Sequence, residues 1–159
     1  VKGQVAPMIE LGAGFNHELT GAENILLYGN LLGRSTKLMK SRIEPIAKWA
    51  ELADQIDVPI RAYSSGMIAR LAFAVATDQV PDVLLVDEIM TVGDEVFRSR
   101  SKERIDHILN KGSSVLLVSH DLELIKKFTQ KSIYLENGNL KRFGNSQAVI
   151  DDYINDVAL

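Results

Sequence analysis

The stretch Tyr63-Ser64-Ser65-Gly66-Met67, the apolar run at residues 68–76 behind it, and Val83-Leu84-Leu85-Val86-Asp87-Glu88 decide the fold. A small polar loop opens a helix, and a short strand then delivers two adjacent carboxylates to its carboxyl end. Ser64, Ser65 and Gly66 present hydroxyls and backbone N–H groups at a helix start, where the first amides lack internal partners and the macrodipole favours an anion. On these five residues alone an ordinary serine N-cap is an equal reading. Residues 68–76 are apolar nearly all round apart from Arg70, which predicts a buried helix that holds the loop rigidly.

Val83 to Val86 is a short β-branched and aliphatic run bounded by Pro81-Asp82 and by charge, as expected of a strand covered on both faces. Unpaired charge beside a buried strand is costly, so Asp87 and Glu88 at its exit suggest chemistry. One carboxylate suits Mg²⁺ held through water, and the other suits acceptance of a proton from an attacking water. The plainer alternative is an acidic helix N-terminus. Further on, Ser114-Val115-Leu116-Leu117-Val118-Ser119 reads as a second buried strand ending in His120-Asp121, with a charged amphipathic helix over residues 95–110 between the two. This is one βαβ unit, whose parallel strands place their carboxyl ends on one sheet edge, so Glu88 and His120 are expected to converge.

Hydrophobic content of 46% and charged content of 25% are ordinary for a soluble globular domain. The net charge of −3 gives no sign of a nucleic-acid surface. The absence of cysteine excludes disulfides and fits a reducing compartment. No apolar run reaches the roughly 20 residues that span a bilayer.

From residue 20 to about residue 53 two amphipathic helices are expected, the first opened by Thr20-Gly21-Ala22-Glu23 as a capping box. Ala22, Ile25, Leu26, Gly29 and Leu32 mark one apolar face; Met39, Ile43, Ile46, Ala50 and Ala53 mark another. Asp57 to Arg61 reads as an extended connector, and Leu122 to Phe128 as a short helix. Asn137-Gly138 between two strand-like runs signals a hairpin, and a closing helix follows Ser146. The chain starts without methionine and runs directly into strand-like residues 5–11, so it reads as cut. The phosphate-cradling loop Gly-x-x-x-x-Gly-Lys-Ser/Thr is absent from it. Gly29 to Ser35 is one residue short, has Arg34 in place of lysine and follows a helix, and Gly12-Ala13-Gly14 lacks a third glycine.

The order of Tyr63-Ser64-Ser65-Gly66-Met67, Val83 to Glu88, Thr91-Val92-Gly93-Asp94 and Ser119-His120 resembles the signature loop, Walker B strand, D-loop and H-loop of ABC-type ATPases. Residues 9–25, Ile-Glu-Leu-Gly-Ala-Gly-Phe-Asn-His-Glu-Leu-Thr-Gly-Ala-Glu-Asn-Ile, are similar to the branch that powers export of polysaccharide, O-antigen or teichoic acid. The resemblance implies the C-terminal part of a P-loop NTPase-like α/β domain, a parallel sheet flanked by helices plus a helical subdomain. Residues 20–80 would form that subdomain with the signature loop, and residues 1–19 and 81–159 the catalytic core. Where the family has a Q-loop glutamine this sequence has Leu11, with Glu10 beside it.

The resemblance further implies ATP and Mg²⁺ as cofactors. Asp87 would hold the metal, Glu88 the attacking water and His120 the terminal phosphate. Tyr63, Ser64, Ser65, Gly66 and Met67 would close the nucleotide site of a second copy in a homodimer, and Asp94 would fix geometry across it. A transmembrane permease would be the other partner, giving a peripheral position at the cytoplasmic face of the cell membrane and no contact with nucleic acid. The chain by itself is expected to lack ATPase activity and, with a long open sheet edge, to be poorly stable or self-associating. The alternatives are a non-transport ABC-type ATPase and a non-catalytic dimerisation or regulatory module.

Overall fold

The computed structural model describes residues 3–8, 11–87 and 94–157. In chain order these form β1 (Val5–Met8), α1 (Gly21–Leu31), α2 (Thr36–Trp49), α3 (Ser65–Thr77), β2 (Val83–Asp87), α4 (Glu95–Asn110), β3 (Ser114–Val118), α5 (Leu122–Phe128), β4 (Lys131–Glu136), β5 (Asn139–Asn145) and α6 (Ser146–Val157). They divide into two compact units, Val1–Leu116 and Leu117–Leu159.

A three-stranded sheet has the order β1-β2-β3. β1 and β2 are parallel, with Val5 opposite Val83 and Met8 opposite Val86. Leu84 and Val86 are buried, but Val83 and Leu85 on the opposite face are half-buried, so β2 is fully covered on one of the two faces expected. Of the expected strand at 5–11, Val5–Met8 is β1, residues 9 and 10 lie outside the described residues, and Leu11 belongs to a turn in which Gly12 and Gly14 adopt positive φ (92° and 101°). β3 is not the doubly covered strand expected. Leu116 and Val118 are 59% and 57% exposed, since an apolar run specifies a strand without specifying what covers its faces.

In the first unit α3 is the central helix and packs against α1, α2, α4 and β1. Its residues 71–77 are all buried, and full burial of a side chain such as Leu71 or Phe73 contributes about 1.5–3 kcal/mol. Trp49 stacks on Phe73 at 5.4 Å with 16° between the rings, and Phe97 meets both edge-on. The carboxyl end of α3 is sealed by arginines from elsewhere in the chain. Arg34 donates to the carbonyls of Val75 (2.5 Å) and Ala76 (2.9 Å), and Arg104 Nε donates to that of Thr77 (3.3 Å). Buried helix-end carbonyls need such partners.

The predicted capping box opens α1: Thr20 Oγ1 accepts from Glu23 N–H at 3.2 Å while the Glu23 carboxylate accepts from Thr20 N–H at 2.8 Å. Its buried face differs from the expected stripe, because Asn24 and Tyr28 are buried beside Ile25 and Gly29. Asn24, 0% exposed, donates to the carbonyls of Asn16, Leu19 and Thr20 and accepts from Asn16 N–H at 2.7 Å. A fully satisfied buried amide of this kind ties the preceding loop to the helix. The connector expected to be extended contains a 3-10 turn at Ile60–Ala62, and Pro59 bridges to Thr20.

In the second unit β4 and β5 form the predicted hairpin, turned by Asn137 and Gly138 at φ 50° and 78°. α6 packs on it, with Tyr134 and Tyr153 edge-to-face at 5.2 Å and Arg142 Nε 3.1 Å from Asp152.

Candidate functional site

The start of α3 is built from local chemistry. Ser64 is extended (φ −70°, ψ 161°) and its Oγ accepts from Met67 N–H at 3.2 Å, so the serine does cap the helix. That cap leaves the amides of Ser65 and Gly66 as the first of the helix, which have no intrahelical acceptor. Ser64 and Ser65 are exposed, and Gly66 and Met67 are half-buried. The chain's own packing does not demand glycine at 66: a Cβ there would meet only Ser64 Oγ, at 3.8 Å. A glycine in a first helical turn costs about 0.5–1 kcal/mol relative to alanine, and what it leaves here is bare backbone open to close approach from outside.

Tyr63 has a different part. It is 8% exposed and its hydroxyl donates to the Gln55 carbonyl at 2.5 Å. Burial raises the phenol's pKa, and the Asp57 charge adds to the shift. Gly21 lies directly against it, where a Cβ would come within 2.6 Å of the Tyr63 hydroxyl oxygen. Tyr63 therefore fastens the loop to the helices behind it.

Asp87 ends β2, half-buried, and its carboxylate forms no ion pair or hydrogen bond among the described residues. Glu88 and Thr91 to Gly93 lie outside the described residues, and with them the expected convergence of Glu88 and His120. Asp94 caps α4, its Oδ1 accepting from Phe97 N–H at 2.8 Å. His120 is exposed and sits in a braced corner of the second unit. Ser119 Oγ accepts from Asp121 N–H at 3.0 Å, and Asp121 Oδ1 accepts from Glu123 N–H at 3.0 Å and Leu124 N–H at 3.2 Å. The bracing by Ser119 and Asp121 was not assigned from sequence, although Ser-x-Asp ahead of a helix is its signal.

The residues present fit the implied groups. The open amides of Ser65 and Gly66 suit phosphate oxygens. A carboxylate at a strand's carboxyl end with no partner among the described residues, Asp87, suits Mg²⁺, which is held by one or two carboxylates together with phosphates and water. Among the described residues no three His, Asp or Glu side chains gather as a closed metal site. No described helix is long and apolar enough to cross a membrane.

No family model matches the chain. It is 41% identical over 152 residues to an O-antigen export system ATP-binding protein of Klebsiella pneumoniae, a match spanning 96% of this chain and 62% of that protein. It is 37% identical over 153 residues to a teichoic acids export ATP-binding protein of Lactococcus lactis, of which it spans 33%. The fold matches an ATP-binding subunit of an ABC transporter with a TM-score of 0.79 at 23% identity, over 94% of this chain and 62% of that one. It also matches a dimeric ATP-binding cassette in a post-hydrolysis state bound to ADP and Pi, with a TM-score of 0.71 at 22% identity, over 90% of this chain and 63% of that one.

The fold is that of ABC-type ATPase domains. Within it, the similarity runs to the ATP-binding proteins of O-antigen and teichoic-acid export systems, and the chain spans about three fifths or less of the length of these relatives.

Proposed function

We propose that this chain forms the signature-loop and Walker B portion of an ATP-hydrolysing subunit that energises export of a cell-surface polysaccharide. The observation that carries the reading is the 41% identity to an O-antigen export ATP-binding protein over 96% of the chain. The glycine-opened helix start at Ser64-Ser65-Gly66 supports it.

Magnitudes fix the division of labour. An anion at a helix start gains about 0.3–2 kcal/mol, whereas micromolar affinity requires about 8 kcal/mol. The loop at 63–67 therefore completes a nucleotide site that another copy supplies, and a homodimer is the working form. ATP supplies the phosphoryl bond that is broken and Mg²⁺ the neutralising charge. Asp87 orients the metal's water shell, Glu88 accepts a proton from the attacking water, and His120 donates a hydrogen bond toward the terminal phosphate. Ser64, Ser65 and Gly66 present donors, Tyr63 and Met67 flank and fasten them, and Asp94 holds the start of α4 at the dimer seam. Residues 20–80 act as the helical subdomain that meets a membrane permease, and that contact keeps the subunit at the cytoplasmic face.

General-base catalysis is typically worth about 10²–10⁴-fold. Glu88→Gln in a full-length subunit carrying this sequence is expected to abolish phosphate release to that extent while Mg-ATP binding persists. Near-normal turnover in that variant would remove Glu88 from the role.

A further inference from the structure

A cavity of about 400 Å³ lies in the first unit, away from the start of α3, among residues from the carboxyl ends of α2 and α3 and from α4. Trp49, Val80, Arg100, Glu103, Arg104 and Ile108 line it together with Asp78. The proposed nucleotide chemistry uses none of them.

Most of the charges around it already have partners. Asp78 is held by Arg42 through Nε at 3.0 Å and Nη2 at 2.7 Å, and Gln79 donates to it at 2.9 Å. Arg100 is paired with Glu51 and donates through Nη2 to the Trp49 carbonyl at 3.0 Å. Glu103 and His107, which also line the cavity, show no side-chain partner among the described residues, and of the arginines Arg104 is the less committed. Its guanidinium lies 4.6 Å from the centre of the Trp49 ring and its Nε reaches the Thr77 carbonyl, but neither Nη group makes a hydrogen bond among the described residues. Burial lowers its pKa against the opposing pull of Asp78, with Arg42 and Arg100 adding repulsion. A desolvated guanidinium crowded by two others, with its planar fork open to a cavity, calls for a planar anion that accepts two parallel N–H bonds.

We propose that this cavity binds a small organic monocarboxylate, its carboxylate on the Nη fork of Arg104 and its apolar part against Val80 and Ile108. A single negative charge suits the open Nη groups of Arg104. A phosphate dianion would bring excess charge toward the Asp78 and Glu103 carboxylates. The volume is at the lower end of the roughly 300–1,000 Å³ of small-molecule sites.

Trp49 is the only tryptophan in the chain, so the tryptophan fluorescence comes from a single side chain on the cavity wall. Titration of the full chain with 3-phenylpropionate should change that fluorescence saturably, while 3-phenylpropan-1-ol and inorganic phosphate should not. Arg104→Lys should weaken the response by at least about tenfold, and Arg104→Gln should abolish it. The unmodified chain gives a readout that needs no variant: intermolecular Overhauser contacts between the ligand's ring protons and the Trp49 indole, lost on addition of excess benzoate. An equal response to the alcohol overturns the proposal. So does a response unchanged in Arg104→Gln, or an absence of indole contacts in the unmodified chain.

Discussion

Arg42 grips Asp78 with two of its nitrogens, at 3.0 and 2.7 Å, where the Asp78 side chain is only 2% exposed. The pair joins α2 to the residue that ends α3, and α3 carries the loop on which the functional reading rests. Removing one partner of a buried pair leaves an uncompensated charge, at about 3–5 kcal/mol when both are buried. Arg42 keeps access to water, so Arg42→Ala is expected to destabilise the chain by a smaller amount, about 2 kcal/mol, read by chemical denaturation.

The same pair predicts a pH dependence. Burial pushes the Asp78 carboxyl up, but the hydrogen bonds from Arg42 and Gln79 and the charges of Arg42 and Arg104 outweigh it and hold the pKa below the usual value. A carboxylate whose folded pKa is depressed contributes stability above its unfolded pKa, about 3.9 for aspartate. That contribution is lost as pH falls through the folded value. Denaturation curves between pH 7 and pH 3 should show this acid-side loss, and it should shrink in Arg42→Ala.

Two glycines should respond in opposite ways to the same substitution. Gly21→Ala places a Cβ 2.6 Å from the Tyr63 hydroxyl oxygen and 3.0 Å from the Ile56 carbonyl oxygen, so it should destabilise by about 1–3 kcal/mol. Gly66→Ala meets nothing closer than 3.8 Å and should raise stability by up to about 1 kcal/mol. In a full-length subunit, Gly66→Ala should nonetheless lower ATP turnover, because the added methyl occupies the approach to the loop. Melting curves and phosphate-release rates on both variants separate the structural glycine from the functional one.

Asn24→Ala should cost about 1–3 kcal/mol, since it removes the acceptor of the Asn16 amide and the side-chain donor shared by the Asn16, Leu19 and Thr20 carbonyls, which keep their backbone partners. Hydrogen exchange at the Asn16 amide should accelerate in that variant.

What was legible in the sequence was governed by neighbours along the chain. The Thr20 capping box and the Asn137-Gly138 turn are both short-range devices, and each stands where residue order placed it. The misses are long-range. An asparagine reads as polar surface until the carbonyls that surround it are known, so Asn24 was left out of the core. The open side of β3 at Leu116 and Val118, and the arginines that seal the end of α3, depend on elements distant in sequence. At the candidate site, the serine cap and the open glycine follow from five consecutive residues. The inward turn of the Tyr63 hydroxyl depends on Gln55 and Gly21 and was not readable.

The central claim is that the amides at Ser65 and Gly66 lie against the terminal phosphate of a nucleotide held by a second copy. Vanadate, trapped with Mg-ADP in place of that phosphate and irradiated, cuts the backbone that touches it. In a full-length subunit carrying this sequence, light-dependent cleavage within Ser64 to Gly66 is the predicted result, and it should disappear when dimerisation is blocked. Cleavage confined to other segments, with this loop intact in a hydrolysing dimer, would contradict the account.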